Sequence, residues 1–396
     1  MALIIKNGLV FLGTTFEKKE ILINDSGIIE KIGVNLRGEE TVDAKNMLVC
    51  PGLIDPHVHL REPGQEYKED FVSGSKAAIA GGITTLMDMP NNKIPTTTKE
   101  RLLEKIERAK RAPATILFHF GGTDDNFEQV KKANPSSMKL YLGKTTGDLL
   151  LKNPKSMEKH FLNFDKEKPI VLHACDDSGN HSHDQKCLQN NVKEAVDLAT
   201  KMQRRIHLAH VSTKDEIALI EKCKSATSEV APHHLFLSKK DEEKLKFFAK
   251  VNPPLRSDEE RNELLKSVQK INCIATDHAP HTIEDKEEGA AGFPGLETSL
   301  SLMLEGANRG VLDRTWIIKA MTHNVADAFN LHERGKIEAG RIGDITIIDL
   351  KKEWVVDSSK MQSKCKWSPF ENWKLKGKAQ IVIRKGEIIY QEGEFI

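Results

Sequence analysis

Along the middle of the chain, apolar runs of four to seven residues alternate with longer stretches in which apolar positions return every three or four residues. The runs are Leu53–His59, Ile83–Met89, Thr115–Phe120, Met138–Leu142, Ile170–His173, Ile206–Val211, Ser228–His233 and Cys273–Thr276. Short apolar runs read as buried strands, and the period of three to four reads as helix. Helical periodicity is plain in Lys99–Arg111, Val192–Arg204, Thr213–Cys223 and Asp258–Val268. Strand alternating with helix predicts a parallel sheet. Eight such units over roughly 250 residues predict a (β/α)8 barrel.

The two ends follow another pattern. Leu3–Leu12 and Glu20–Ile32 read as strand regions, the second broken by a turn at Asn24-Asp25-Ser26-Gly27. Ile345–Leu350 and Ala379–Tyr390 read likewise, with a turn near Lys385-Gly386. No comparable helix separates the strands within either end. The expectation is an α/β chain with a small β-sandwich domain built from both termini, residues 1–50 with 336–396, beside a barrel of residues 51–335.

Composition narrows the function classes. Among 396 residues, 59 Lys+Arg face 58 Asp+Glu, so the formal charge is +1. A strongly basic nucleic-acid binder is excluded at this level, as is a protein dominated by an acidic tail. No run approaches the ~18–20 apolar residues of a membrane span. The stretch Met1-Ala2-Leu3-Ile4-Ile5-Lys6 has no basic region before an apolar core, so no secretory signal is read. Six cysteines, at 50, 175, 187, 223, 273 and 365, form no CxxC pair and read as reduced thiols of a cytoplasmic protein.

The polar residues fall at strand ends. His57 and His59 alternate across Val58, so on a strand they point to one side. His173 ends the fifth run, His210 lies near the end of the sixth, and Asp277-His278 follow the eighth. Barrel active sites lie at the C-terminal strand ends. Imidazoles and a carboxylate converging there describe a divalent transition-metal site, most simply zinc. Lys139, between Met138 and Leu140, is costly to bury as an ammonium. It could snorkel outward, pair with a carboxylate, or lose its proton and take up carbon dioxide as a carbamate.

The chain resembles the dihydroorotases of the amidohydrolase superfamily over nearly its whole length. The resemblance rests on Pro51-Gly52-Leu53-Ile54-Asp55-Pro56-His57-Val58-His59-Leu60-Arg61-Glu62-Pro63-Gly64 and on Ala275-Thr276-Asp277-His278-Ala279-Pro280-His281. Met89-Pro90-Asn91, Met138-Lys139-Leu140-Tyr141-Leu142, Asn252-Pro253-Pro254-Leu255-Arg256 and Gly292-Phe293-Pro294-Gly295-Leu296-Glu297-Thr298 extend it. It implies two Zn2+ per chain: His57, His59 and Asp277 on one, His173 and His210 on the other, and carbamylated Lys139 bridging them.

The implied reaction is the reversible cyclisation of N-carbamoyl-L-aspartate to (S)-dihydroorotate and water in de novo pyrimidine biosynthesis. A zinc-bound hydroxide would attack the ring amide carbonyl, with Asp277 as proton shuttle. By family position Arg61, Asn91 and His281 take the substrate carboxylate, and Asn252 and the backbone at Pro294-Gly295 take the ring amide groups. Thr145, in Gly143-Lys144-Thr145-Thr146-Gly147, reaches the substrate from a segment with a glycine at each end that can hinge over the mouth. The resemblance leaves room for a homodimer and for association with an aspartate carbamoyltransferase.

Other features read as bland. His181-Ser182-His183-Asp184 lies in a polar loop, Cys175 reads as an incidental thiol, and His233-His234 are adjacent, so on a strand their side chains diverge and His233 is the one that can line the mouth. Asp176 and Asn92 stand where the family often has glutamate and threonine. Two competing readings stay open: an allantoinase- or hydantoinase-like cyclic amide hydrolase, which shares the metal centre, and a non-catalytic scaffold relative.

Overall fold

The computed structural model describes residues 2–143, 145, 147–174 and 185–396, with the side chains of residues 154 and 185–187 outside the described set. Eight strand segments run parallel and in chain order. The first, Leu53–Val58, pairs with Ile83–Asp88, and that with Thr115–Phe118. The third strand is interrupted at His119 and continues as Phe120–Gly121, which pairs with Met138–Tyr141. Ile170–His173, Ile206–Leu208, Ala226–Val230 and Cys273–Ile274 follow in order. The ring closes where Val58 bridges His278 in parallel and His59 N–H donates to the His278 carbonyl at 2.8 Å. His119 is buried at the interruption, and both ring nitrogens have partners: the Pro56 carbonyl at 2.9 Å and Ser137 Oγ at 2.7 Å.

The helices between strands start where the sequence supplies side-chain acceptors for their free N–H groups. Asp70 and Ser73 form a reciprocal cap on Phe71–Ala80, Ser257 and Glu260 do so for Asp258–Ser267, and Thr98 and Thr213 cap Lys99–Ala109 and Lys214–Ile220. The helix expected over Val192–Arg204 starts earlier and stops two residues sooner, at Gln185–Met202. Their apolar faces cover the sheet in one core that includes Phe71, Leu86, Phe120, Leu172, Val196 and Ile317.

The seventh strand departs from expectation. It spans Ala226–Val230, and Pro232 opens a short helix, Pro232–Phe236. Proline has no N–H for a ladder and its fixed φ suits a first helical turn. His233 and His234 therefore sit on a helix and not on a strand.

Strands from both ends make a single hydrogen-bonded path. Its order is Glu394–Phe395, Glu387–Gln391, Lys374–Arg384, Ile345–Val355, Leu48–Pro51, Leu3–Phe11, Phe16–Ile23, Ile29–Gly33, with Glu40–Asp43 branching from Leu3–Phe11. Leu3, Ile21, Ile23, Val49, Ile345, Ile347 and Ile383 share one apolar core inside it. The path rolls back on itself, since Ile28 bridges Ile342 and Gly343 N–H donates to the Gly27 carbonyl at 2.7 Å. Gly27 has φ +75°, and its Cα faces the Lys385 carbonyl so closely that any Cβ would collide. The sheet meets the barrel through Thr346 Oγ1, which donates to the Gly82 carbonyl at 2.6 Å, and through Gly52 N–H to the Asp344 carbonyl at 2.7 Å.

Among the described residues no helix is long and apolar enough to cross a membrane. Cys50, Cys223, Cys273 and Cys365 are buried free thiols. Cys175, Asp176 and the His181–Asp184 cluster fall outside the described residues.

Candidate active site

A cavity of about 400 Å³ opens at the C-terminal ends of the barrel strands. That volume suits a small ligand. His57, His59, Arg61, Asn91, Thr145, His173, His210, Asn252, Asp277 and His281 all line it. Lys68, Tyr141, Ala279 and the segment Ala290–Gly292 complete the wall. Pro294 and Gly295 do not: the Gly295 N–H is taken by His278 Nδ1 at 3.1 Å, and the wall is built a few residues earlier in the chain.

Several of these residues lie beyond their strands. The strands carrying His210 and Asp277 end at Leu208 and Ile274, and both residues adopt positive φ, +38° and +48°. Arg61 also lies past its strand, with φ +63°, so its place in the cavity comes from the turn and not from strand alternation. Asp55 steadies the Asp277 loop: its carboxylate accepts from Thr276 N–H at 3.1 Å and Thr276 Oγ1 at 2.5 Å.

Three side chains converge tightly. Asp277 Oδ1 is 3.0 Å from His59 Nε2 and 3.3 Å from His57 Nε2. Ligand atoms of all three lie within 4.8 Å of one another, the geometry of a cation site. The opposite ring nitrogens are committed. His57 Nδ1 pairs with Glu229 and His59 Nδ1 with Asn91 Oδ1 at 2.8 Å, which orients each Nε2 toward Asp277. Burial alone would raise the Asp277 carboxyl, but His57 and His59 outweigh it and hold it well below the usual range. Burial pushes His59 down to about 4 despite Asp277, so the imidazole is neutral and able to ligate.

His173 Nδ1 and His210 Nε2 face each other at 2.7 Å on the same floor. Burial pushes His173 down to about 3 and His210 well below its usual value. Beneath them, the Lys139 amine is fully buried and has no hydrogen-bond partner among the described residues. Its Nζ lies 5.5 Å from the Tyr141 ring centre. Burial lowers Lys139 to about 8, against the pull of Glu229 and Asp277. An unpartnered buried ammonium is costly, and the neutral amine is the form that adds carbon dioxide. The neutral His59, His173 and His210 rings, an ionised carboxylate and an unpartnered amine at one strand-end face fit a divalent-metal site.

Glu229 underlies this floor. One of its oxygens accepts from His57 and from His210 N–H at 3.3 Å, and the other faces His207 Nε2 at 3.0 Å. The two imidazoles overcome burial and hold the carboxylate ionised, well below its usual pKa.

The opposite wall is cationic. Arg61 Nε donates to the Pro280 carbonyl at 3.1 Å, and its Nη2 lies 2.9 Å from His281 Nε2. Lys68 reaches His281 Nδ1 at 3.1 Å and pairs with Asp285 at 2.9 Å. Burial, together with Arg61, Lys68 and Lys286, keeps the His281 ring neutral. Asn91 Nδ2 donates to Thr145 Oγ1 at 2.8 Å, tying the Gly143–Gly147 connection to the wall; Lys144 and Thr146 lie outside the described residues. Trp367, in the connection between the last two long strands, donates from Nε1 to the His281 carbonyl at 2.8 Å.

Sequence reasoning passed over Lys68, Tyr141 and Glu229. Tyr141 was within reach, because it alternates with Lys139 on one strand. Glu229 is a lone acid in an apolar run, a signal of the same kind. His233 is buried against Phe293 and does not line the cavity.

Comparison with known proteins supplies a family match. The amidohydrolase family matches residues 48–389. A dihydroorotase of Pyrococcus horikoshii is 36% identical over 98% of this chain and 93% of its own, and one of Bacillus pumilus is 33% identical over the full length of both. The multifunctional protein CAD of Squalus acanthias is 35% identical over 90% of this chain, which corresponds to 16% of that much longer protein. Among solved structures, an L-hydantoinase (dihydropyrimidinase) from Arthrobacter aurescens superposes with a TM-score of 0.93 at 26% identity, covering 100% of this chain and 97% of its own. A dihydropyrimidinase from Brevibacillus agri shares the fold at a TM-score of 0.91 and 21% identity, over 100% and 96% of the two chains.

Proposed function

The chain belongs to the amidohydrolase family, and from that premise we propose that it is a zinc-dependent dihydroorotase. It would interconvert (S)-dihydroorotate plus water with N-carbamoyl-L-aspartate. The observation that carries this reading is a cavity with two unlike walls. One holds the His57–His59–Asp277 cluster, and the other holds Arg61, Lys68 and His281. A substrate with a hydrolysable amide on one side and a carboxylate on the other matches both. Full-length identity to dihydroorotases supports the same choice.

In this reading His57, His59, Asp277, His173 and His210 would hold zinc, with Lys139, as its carbamate, a further ligand. The ions, when bound, activate water and polarise the ring carbonyl. Asp277, ionised at rest, accepts the proton of the attacking water. It returns that proton to the ring nitrogen as the C–N bond breaks. In the closing direction it takes the proton from the ureido nitrogen and gives it to the departing oxygen. Arg61 and His281 grip the carboxylate as charge-assisted donors, with Asn91 beside them. Asn252 contacts the ring amide, and Thr145 holds Asn91 at the mouth. The backbone at Pro294-Gly295 would reach the ring only if its segment moved, because the Gly295 N–H is already engaged.

The L-hydantoinase likeness favours a second reading, hydrolysis of a neutral cyclic amide. The cationic wall weighs against it, since a neutral ring gives the buried Arg61 guanidinium no anionic partner. The buried free thiols among the described residues support a cytoplasmic setting, and the match within a multifunctional relative supports work beside other enzymes, an aspartate carbamoyltransferase among them. The test is one panel: zinc per chain, then turnover of dihydroorotate, carbamoyl-aspartate, hydantoin and allantoin. Two zinc ions with dihydroorotate turnover are expected. Turnover of hydantoin or allantoin alone would replace the substrate, and no metal with no turnover would favour a scaffold.

A further inference from the structure

We propose that Lys68 is a positioning residue that sets the tautomer of His281 and so builds the carboxylate-binding half of the site. The inference deepens the dihydroorotase reading and rests on it. Lys68 is 6% exposed, and its ion pair with Asp285 at 2.9 Å marks it as an ammonium. An ammonium only donates. It faces His281 Nδ1 at 3.1 Å, so Nδ1 is the acceptor and carries no proton. In a neutral imidazole the proton then sits on Nε2. There it has an acceptor, the Ala291 carbonyl at 3.1 Å.

This assignment changes the meaning of the nearby guanidinium. Arg61 Nη2 lies 2.9 Å from His281 Nε2, and both atoms now bear hydrogens. Two donors side by side do not bond each other. They form a fork whose natural partner is an anion, and both residues line the cavity. With the opposite tautomer, Nε2 would accept from Arg61, and the pair would be closed to a carboxylate. Lys68 is what separates these states, because neither Arg61 nor the Ala291 carbonyl reaches Nδ1. Its backbone lies far off in the chain, 213 residues from His281, on the polar segment that leads into the helix Phe71–Ala80.

The test compares Lys68→Met, Lys68→Arg and Asp285→Asn with the wild-type zinc-loaded protein. Nitrogen-15 NMR of labelled histidine should place the His281 proton on Nε2 in the wild type and move it toward Nδ1 in Lys68→Met. Kinetically, Lys68→Met should raise KM for dihydroorotate about tenfold or more with kcat changed less than threefold. Lys68→Arg, which keeps a donor, should recover much of the loss. Asp285→Asn keeps an acceptor for Lys68 and should stay within about threefold of wild type. An unchanged tautomer in Lys68→Met would overturn the proposal, as would a kcat loss with KM intact. So would an Asp285→Asn variant as impaired as Lys68→Met, which would make the lysine only a strut for the Asp285 loop. Should the wild type fail to turn over dihydroorotate, the functional reading falls while the NMR result still decides the tautomer.

Discussion

Replacing Glu229 by glutamine removes one negative charge from the middle of the barrel with almost no change in shape. The carboxylate is 1% exposed and joins His57 Nδ1 to His207 Nε2, whose other nitrogen meets Thr227 Oγ1 at 2.8 Å. A glutamine can place its carbonyl toward His57 and its amide toward His207. His207 then shifts its proton to Nδ1, where Thr227 Oγ1 can accept it, so no buried polar atom is stranded. What is lost is the anion that keeps the His57 proton on Nδ1 and makes Nε2 a stronger donor to a metal. Loss of such a partner typically weakens metal affinity by about 10–100-fold, or about 1.4–2.8 kcal/mol. The assay is a competition titration of zinc against a chelator of known affinity, with circular dichroism to check the fold. In a His57→Ala background, Glu229→Gln should add little, because its effect runs through that ring. Affinity within twofold of wild type in a folded Glu229→Gln protein would refute the reasoning. An equal loss in both backgrounds would assign the effect to general barrel electrostatics.

Three further outcomes follow from the geometry. Lys139→Ala should lower the zinc content per chain. Metal reloading of stripped wild-type protein should need bicarbonate and speed up as pH rises through about 8, where the lowered amine becomes neutral; pH-independent reloading without carbon dioxide would refute the carbamate. Thr145→Ala removes the 2.8 Å bond to Asn91 and should lower turnover severalfold with zinc content unchanged, and unaltered kinetics would sink the role of that connection. Glu297 is pushed up to about 7 by burial, so the folded state holds its proton while the unfolded chain, near 4.5, has released it. Its contribution to stability is full below about 4.5 and is lost as pH rises through about 7. Glu297→Gln, which mimics the protonated form, should gain melting temperature relative to wild type across that window, and a constant difference would be the contrary result.

Much of the barrel could be read from apolar runs, because a parallel strand buried on both faces is apolar throughout. The seventh strand, expected too far along the chain, shows the limit of that signal. Ser228–His233 continues past the strand because Ala231 and Pro232 are also buried, and only the proline marks the change to helix. The pairing of the outer sheet was not legible. Leu48–Pro51 lies against Ile345–Val355, and no local pattern ties segments so far apart in the chain. At the site, His57 and His59 were readable by alternation. Lys68 was not, because it sits in a polar run that looks like ordinary surface and reaches His281 only through the tertiary fold. Pro294 and Gly295 came from family position alone; the Gly295 N–H is engaged by His278 and neither residue lines the cavity.

The residues past the strand ends share a cost. Arg61, His210 and Asp277 all hold positive φ, which for residues with a Cβ costs of order 1–3 kcal/mol each. Each loop is held by a buried acceptor. Asp55 clamps Thr276 beside Asp277, Glu229 accepts the His210 N–H, and the Pro280 carbonyl takes Arg61 Nε. Asp55 and Glu229 are themselves buried carboxylates, expensive to bury unless fully bonded. The barrel thus spends buried polar groups where the chain leaves the sheet, and these groups aim side chains that strand alternation could not aim. A hydrophobic replacement for Asp55 or Glu229 could spare the burial cost, but it would release the loops that bring His210 and Asp277 together. The strain and the buried acids belong to one arrangement, in which each makes sense only because the other is present.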